Sequence, residues 1–138
     1  MNREEGLARL ASERVARMAT CDAQGRPHVV PIVFALEGET LYSSVDNKPK
    51  RTKDLKRLEN IRANPNVEVL VDRYSEDWTD LWWVRVAGPA RLLESGAERD
   101  KALRLLTEKY AQYADYPPDG RVVAIDISRV SSWVGIAT

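Results

Sequence analysis

Apolar residues recur at helical spacing over residues 3–12, where Leu7, Leu10 and Ala11 fall on one face of a short amphipathic helix. From Val15 to Thr20 (VARMAT) the period shortens to a weak alternation, and Asp22-Ala23-Gln24-Gly25 follows as a turn signal. His28 to Leu36 (HVVPIVFAL) is a strongly apolar run that predicts a second strand, paired with the first as a hairpin. Pro31 inside that run has no N–H to give to a ladder, so the strand is expected at a sheet edge or a bulge. Glu37-Gly38-Glu39 then turns the chain into a third strand, Thr40 to Val45 (TLYSSV).

After the polar loop DNKPKR, Thr52 stands as an N-cap for a helix over roughly 53–63, with Leu55, Leu58 and Ile61 as its buried stripe. Asn64-Pro65-Asn66 stops it. Val67 to Tyr74 alternates cleanly, with Val67, Val69 and Val71 on one face, and Ser75 to Asp80 is a loop carrying Trp78. Leu81 to Leu93 (LWWVRVAGPARLL) predicts a long strand bent at Gly88-Pro89. Ser95-Gly96-Ala97-Glu98 fits a capping box opening a helix to about Tyr113, with Leu103, Leu106 and Tyr110 inward. Arg121 to Ile127 is the last clear strand, and Ser132-Trp133-Val134-Gly135 trails after it. Six strands with three helices, mostly in hairpin contact, predict a mainly β, α+β fold: a small antiparallel barrel. Residues 1–138 read as one domain, without repeats or linkers.

Composition narrows the function classes. The 43% hydrophobic and 30% charged content is that of a soluble globular domain. Lys plus Arg and Asp plus Glu balance at 21 each, so any anion site is local. No basic face extends beyond residues 48–57, which argues against nucleic acid. No apolar run approaches the ~20 residues of a membrane span, and the N-terminus lacks a signal peptide's apolar core. A single cysteine, Cys21, precludes an internal disulfide, so a cytoplasmic location is expected. The single histidine, His28, excludes His-rich metal sites, and no G-x-S-x-G elbow, Walker A or G-x-G-x-x-G loop occurs. An enzyme with so few acid/base groups takes its chemistry from a cofactor.

The densest polar signal is Lys48-Pro49-Lys50-Arg51-Thr52-Lys53 at a helix start. Unsatisfied N–H groups and the helix dipole favour an anion there, and basic side chains complete a phosphate or carboxylate cradle. An ordinary solvated loop accounts for the cluster equally well. Trp82 and Trp83 are adjacent on a strand and must face opposite sides, so one enters the core and the other needs cover from a subunit or a planar ligand. Ser43 and Ser44 likewise face opposite sides, one lining a groove or merely filling space. His28 reads as a strand-end residue bonded to solvent or backbone, with a contact to a ring system or substrate as the alternative. Cys21 has no basic neighbour in sequence and reads as a bystander.

The stretches ATCDAQGRPHVVPIVF, TLYSSVDNKPKRTKDLKRLENIRANPNVEVLV and VAGPARLL resemble the pyridoxamine 5′-phosphate oxidase-like split-barrel superfamily. The likeness is greatest to its coenzyme F420-dependent flavin/deazaflavin oxidoreductase branch and runs from Val15 to Trp133. Its most specific piece is K-x-K-R-T-K-D-L-x-R-L, ending in Asn-Pro before a strand. The resemblance implies a six-stranded antiparallel split β-barrel with flanking helices, of the FMN-binding type. It implies that Lys50 and Arg51 contact the cofactor phosphate, with Thr52 and Lys53 beside them and Ser43 and Ser44 on the strand lining that side. Val30, Pro31 and Ile32 would border the ring system, and Trp78 would approach it across a homodimer. Strand two departs from polar relatives, being apolar apart from His28.

The leading expectation is hydride transfer between coenzyme F420 and a small unsaturated or quinone-like substrate, with His28 on the substrate side. FMN-dependent oxidoreduction in the same fold is the second, since FMN also carries a phosphate. A non-catalytic binder of F420, haem or another flat anionic ligand is the third.

Overall fold

The computed structural model describes residues 1–45, 52–118 and 120–135, the side chains of residues 52–55 excepted. Its elements run α1 (Arg3–Ser12), β1 (Ala16–Cys21), β2 (Pro27–Ile32), β3 (Ala35–Glu37), β4 (Thr40–Ser44), α2 (Thr52–Ala63), β5 (Asn66–Arg73), β6 (Trp82–Leu93), α3 (Ala97–Lys109), α4 (Gln112–Asp115), β7 (Val122–Asp126) and β8 (Arg129–Val134). A one-turn 3-10 helix, Trp78–Asp80, sits between β5 and β6. The class is the expected one, an antiparallel open barrel with flanking helices.

The strand count differs from the expected six. Eight strands pair among the described residues, in the order β2-β1-β5-β6-β7-β4-β3, with β8 added along β6. The apolar run His28 to Leu36 is two strands, because the chain leaves β1's side at Ile32 and joins β4 at Ala35. Ser132 to Val134, expected to trail, lies in β8 and pairs with β6 from Trp82↔Val134 to Ala87↔Arg129.

β2 and β3 are consecutive in the chain yet lie at opposite ends of the strand order. That gap is the split in the barrel. Phe34, inside the gap, has no ladder to join, and the Tyr110 hydroxyl takes over: it accepts from the Phe34 N–H (2.9 Å) and reaches the Phe34 carbonyl (2.8 Å). Pro31 is where its missing N–H is tolerated, on the edge strand β2.

β6 belongs to both halves. Its first part pairs with β5 and β8, and Ala90 to Leu93 pair with β7. The crossing falls at Gly88-Pro89, the expected bend. A Cβ on Gly88 would collide with the Asp126 carbonyl oxygen, so only glycine lets the β7 end pass so closely.

The interior is filled by the inward faces of these strands: Met18, Val69, Val71, Val84, Val86 and Ile125 are fully buried, as is Leu10 from α1. Leu58 and Ile61 close the cluster from α2, as their spacing predicted. Helix α1 is held by an Asn2–Glu5 capping box that the sequence reading did not single out. The expected Ser95–Glu98 box does not form: Gly96 is the N-cap, with φ 102, and no side chain caps the helix. Glu98 is engaged elsewhere, accepting two hydrogen bonds from Arg91 (2.8 and 2.9 Å) and one from the Tyr42 hydroxyl (2.8 Å). Those bonds hold its carboxyl down at about 2 and clamp α3 onto β4 and β6. The helix ends at Lys109 and not near Tyr113, since Tyr110 turns in to serve the split.

Candidate functional site

The β1–β2 hairpin and α2 meet at one end of the barrel. In the antiparallel register Thr20 lies opposite His28, Met18 opposite Val30 and Ala16 opposite Ile32. Those six side chains therefore share the inward face. Thr20 and Ile32 are buried, while His28 and Val30 are half-buried. Across from them Asn60 of α2, 1% exposed, donates its side-chain amide to the Thr20 hydroxyl at 3.0 Å. This buried bond fixes the helix against the hairpin.

A second tie lies one turn earlier. Asp22, at the hairpin turn, accepts from the N–H groups of Gln24 (2.9 Å) and Arg26 (2.8 Å). Its other oxygen meets the Arg26 guanidinium at 2.9 Å and Lys56 Nζ at 3.8 Å. The Arg26 N–H, with the Gln24 N–H and the Arg26 side chain, holds the Asp22 carboxyl below the usual carboxylate range. The turn is thereby charged at ordinary pH and pairs with the N-terminal half of α2. Sequence reading missed Thr20, Asp22, Lys56 and Asn60. The available signal was Asn60 itself, an amide next to the apolar stripe of a helix, where a buried partner is required.

His28 stands out for what it lacks. Its Nδ1 is shielded from solvent and has no hydrogen-bond partner among the described residues. The expected bond to solvent or backbone is not made by that atom.

The structure places the other expected residues as follows. Val30 and Ile32 face inward on β2, and Pro31 faces outward. Ser43 points inward and donates to the Val33 carbonyl at 2.8 Å, in the split. Ser44 faces the other way, on the side of Tyr42 and Val122, and its buried Oγ has no hydrogen-bond partner among the described residues. Lys50 and Arg51 lie outside the described residues, as do the side chains of Thr52 and Lys53; Thr52 is the first residue of α2. Trp78, 69% exposed, sits in the β5–β6 connection, beyond the Trp82 end of β6. It is thus brought next to none of the β2 residues by this chain's own strand pairings.

Among the described residues, no helix packs on the outward face of β2-β1-β5-β6-β8. It displays Val29, Leu70, Trp83 and Trp133, the last opposite Trp83 on β8. Trp82 is the inward member of the Trp pair, 8% exposed, and Arg9 lies over its ring at 4.6 Å. Glu68 pairs with Arg85 (3.4 Å) and Arg129 (3.6 Å) on the outward face. Beside them is a cleft of about 390 Å³ lined by Ala19, Cys21, Asn66, Glu68, Ala87 and Arg129 among others.

An open antiparallel barrel split between consecutive strands, with a helix across the split-side hairpin, defines the split-barrel class of fold. The chain matches the pyridoxamine 5′-phosphate oxidase family over residues 3–134 and belongs to it. No match was found among curated proteins. Among solved structures it is similar to a conserved hypothetical protein from Mycobacterium tuberculosis, with 20% identity, TM-score 0.78, and coverage of 97% of this chain and 85% of that one. HutZ, the haem storage protein from Vibrio cholerae, is similar at 18% identity and TM-score 0.73, with 98% and 96% covered. A FAD-binding protein from Mesorhizobium loti shares 26% identity at TM-score 0.65, with 96% and 94% covered. No helix among the described residues is long and apolar enough to cross a membrane.

Proposed function

We propose that this protein is an oxidoreductase that binds a flavin-type cofactor along β2, with coenzyme F420 as the hydride carrier and a small unsaturated or quinone-like molecule as substrate. The observation that carries the reading is the open edge of β2. Val30 gives it a half-buried apolar side chain, it has no second partner strand among the described residues, and α2 is tied across its hairpin by Asn60 and Lys56. A planar ring fits beside an edge strand, where free backbone groups can bond its polar rim. The start of α2, preceded in sequence by the basic run, suits the phosphate.

When bound, the deazaflavin or flavin supplies the hydride chemistry. The chain's part is to bind and orient. Lys50 and Arg51 would hold the phosphate, with Thr52 and Lys53 beside them. The backbone of Val30, Pro31 and Ile32 would border the ring along the strand edge, and Ser43 ties the chain that follows β2 through the Val33 carbonyl. FMN in the same groove is the second reading, favoured by the likeness to a FAD-binding protein.

The proposed assembly is a homodimer formed through the helix-free outward face, which has Val29 62% and Trp133 44% exposed. A partner on that face gives Trp83 the cover it needs and brings a second Trp78 towards the cofactor. Titration with F420 and with FMN, followed by ring absorbance and fluorescence, tests the reading. Saturable binding of one of them at micromolar concentration supports it, and binding of neither ends it.

A further inference from the structure

We propose that His28 Nδ1 is the side-chain contact to the ring of the bound cofactor, a specificity-determining hydrogen bond on an otherwise apolar strand; this rests on the oxidoreductase reading above. Four observations carry it. His28 lies in the inward register of β2, in line with Val30 and Ile32. Its Nδ1 is buried and has no partner among the described residues. The Thr20 hydroxyl, opposite it in register, accepts from Asn60 at 3.0 Å and makes no hydrogen bond to Nδ1. His28 is the only histidine in the chain, and the other side chains on that face of β2 are aliphatic.

A buried imidazole nitrogen without a partner is costly, and the cost is removed when something supplies the missing bond. An aliphatic strand cannot distinguish one flat ring from another, whereas one directed polar atom can. Neutral imidazole offers a donor or an acceptor at Nδ1 according to tautomer. His28 therefore matches a ring with a heteroatom at its rim, as flavins and deazaflavins have.

The test uses the wild type and the variants His28→Leu, His28→Asn and His28→Gln, each titrated with FMN and with F420 while the ring spectrum is followed. Asparagine puts an amide atom near the place of Nδ1, and glutamine near that of the outer ring nitrogen. The expected result is about a tenfold loss of affinity in the Leu variant, the size of one hydrogen bond. The absorption maximum of the bound ring should shift with it. The Asn variant should retain both affinity and spectrum, and the Gln variant should resemble Leu. The ligand-free thermal midpoint of the Leu variant should not fall, because Nδ1 makes no bond among the described residues; a merely structural role would lower it and leave the spectrum alone. If the Leu variant does not fold, the contrast between Asn and Gln decides. Unchanged affinity and spectrum in the Leu variant, or rescue by Gln and not Asn, overturns the His28 contact and leaves the oxidoreductase reading standing. Failure of the wild type to bind either cofactor removes that reading and the contact together. So does binding of haem alone, with its spectrum lost in the Leu variant, since His28 would then be a metal ligand.

Discussion

Tyr110 does the work of a missing strand partner. Its hydroxyl accepts from the Phe34 N–H and reaches the carbonyls of Phe34 and Arg14, at 2.8 and 3.0 Å. Tyr110→Phe removes one oxygen and leaves a backbone donor without its bond, a change expected to destabilise the fold by about 1–3 kcal/mol. Urea denaturation would measure it, and a variant as stable as the parent would show that the split satisfies itself. Lys109, next in the chain, presents the opposite case. Its Nζ is buried 3.9 Å over the Phe34 ring with no hydrogen-bond partner among the described residues, and burial, then Arg14, brings its pKa down to about 8. A lysine whose folded value lies below its unfolded one costs stability while charged, so stability should rise as pH climbs from about 8 towards the ordinary lysine value. Lys109→Met should flatten that rise and lift the thermal midpoint at pH 7 by about 2 °C. A flat profile in the parent protein would refute this. His28 illustrates what a sequence conceals: its place on an apolar strand is visible, but that its Nδ1 is buried without a hydrogen-bond partner among the described residues is set by the fold.

Strands with strict alternation were read correctly, and the reason is physical. Val67, Val69 and Val71 have one face inward and one outward, so period two is imposed by burial. The run from His28 to Leu36 reads as one strand because its one breaker, Pro31, suits an edge strand and no Gly, Asn, Asp or Ser interrupts it. What breaks it is Tyr110, a contact 76 residues away, and no local rule sees that. The helix at Ala97 shows a propensity motif overridden in the same manner: Glu98 fits a capping box, yet Arg91 and Tyr42 give it stronger bonds across the sheet. Gly88 was legible as a bend, and its necessity can be checked. Gly88→Ala would drive a methyl group into the Asp126 carbonyl, and backbone on both sides leaves no side chain to yield. A loss of more than about 3 kcal/mol is expected, where an unhindered Gly→Ala change in a strand would gain about 0.5–1 kcal/mol. Cα-preserving variants elsewhere on β6, such as Arg85→Ala, serve as the control.

Among the described residues one broad sheet face, that of β2-β1-β5-β6-β8, has no helix packed on its outward side. If two chains meet there, light scattering should give twice the 15.6 kDa chain mass. Leu70, 36% exposed near the middle of β5 on that face, is the position to test. Leu70→Arg places an unpaired cation in the contact and should give a folded monomer with weakened cofactor binding. A parent protein that already runs as a monomer would remove the dimer, and with it any contribution of Trp78 from a second chain. The family and its barrel could be recognised from the residues alone, because the basic run, the Asn-Pro stop and the VAGPARLL strand sit in one line of text. The sheet face could not, since it is assembled from five strands spread over most of the chain.

β6 runs through both halves of the barrel, so neither half has a complete set of neighbours once that strand is pulled away. Partial opening of one half at a time is therefore disfavoured, and the domain should melt as a single cooperative unit. Amide protons of Val84 and Val86, flanked on both sides by β5 and β8, should exchange with deuterium only through global unfolding, whereas those of the β2 edge should exchange far sooner.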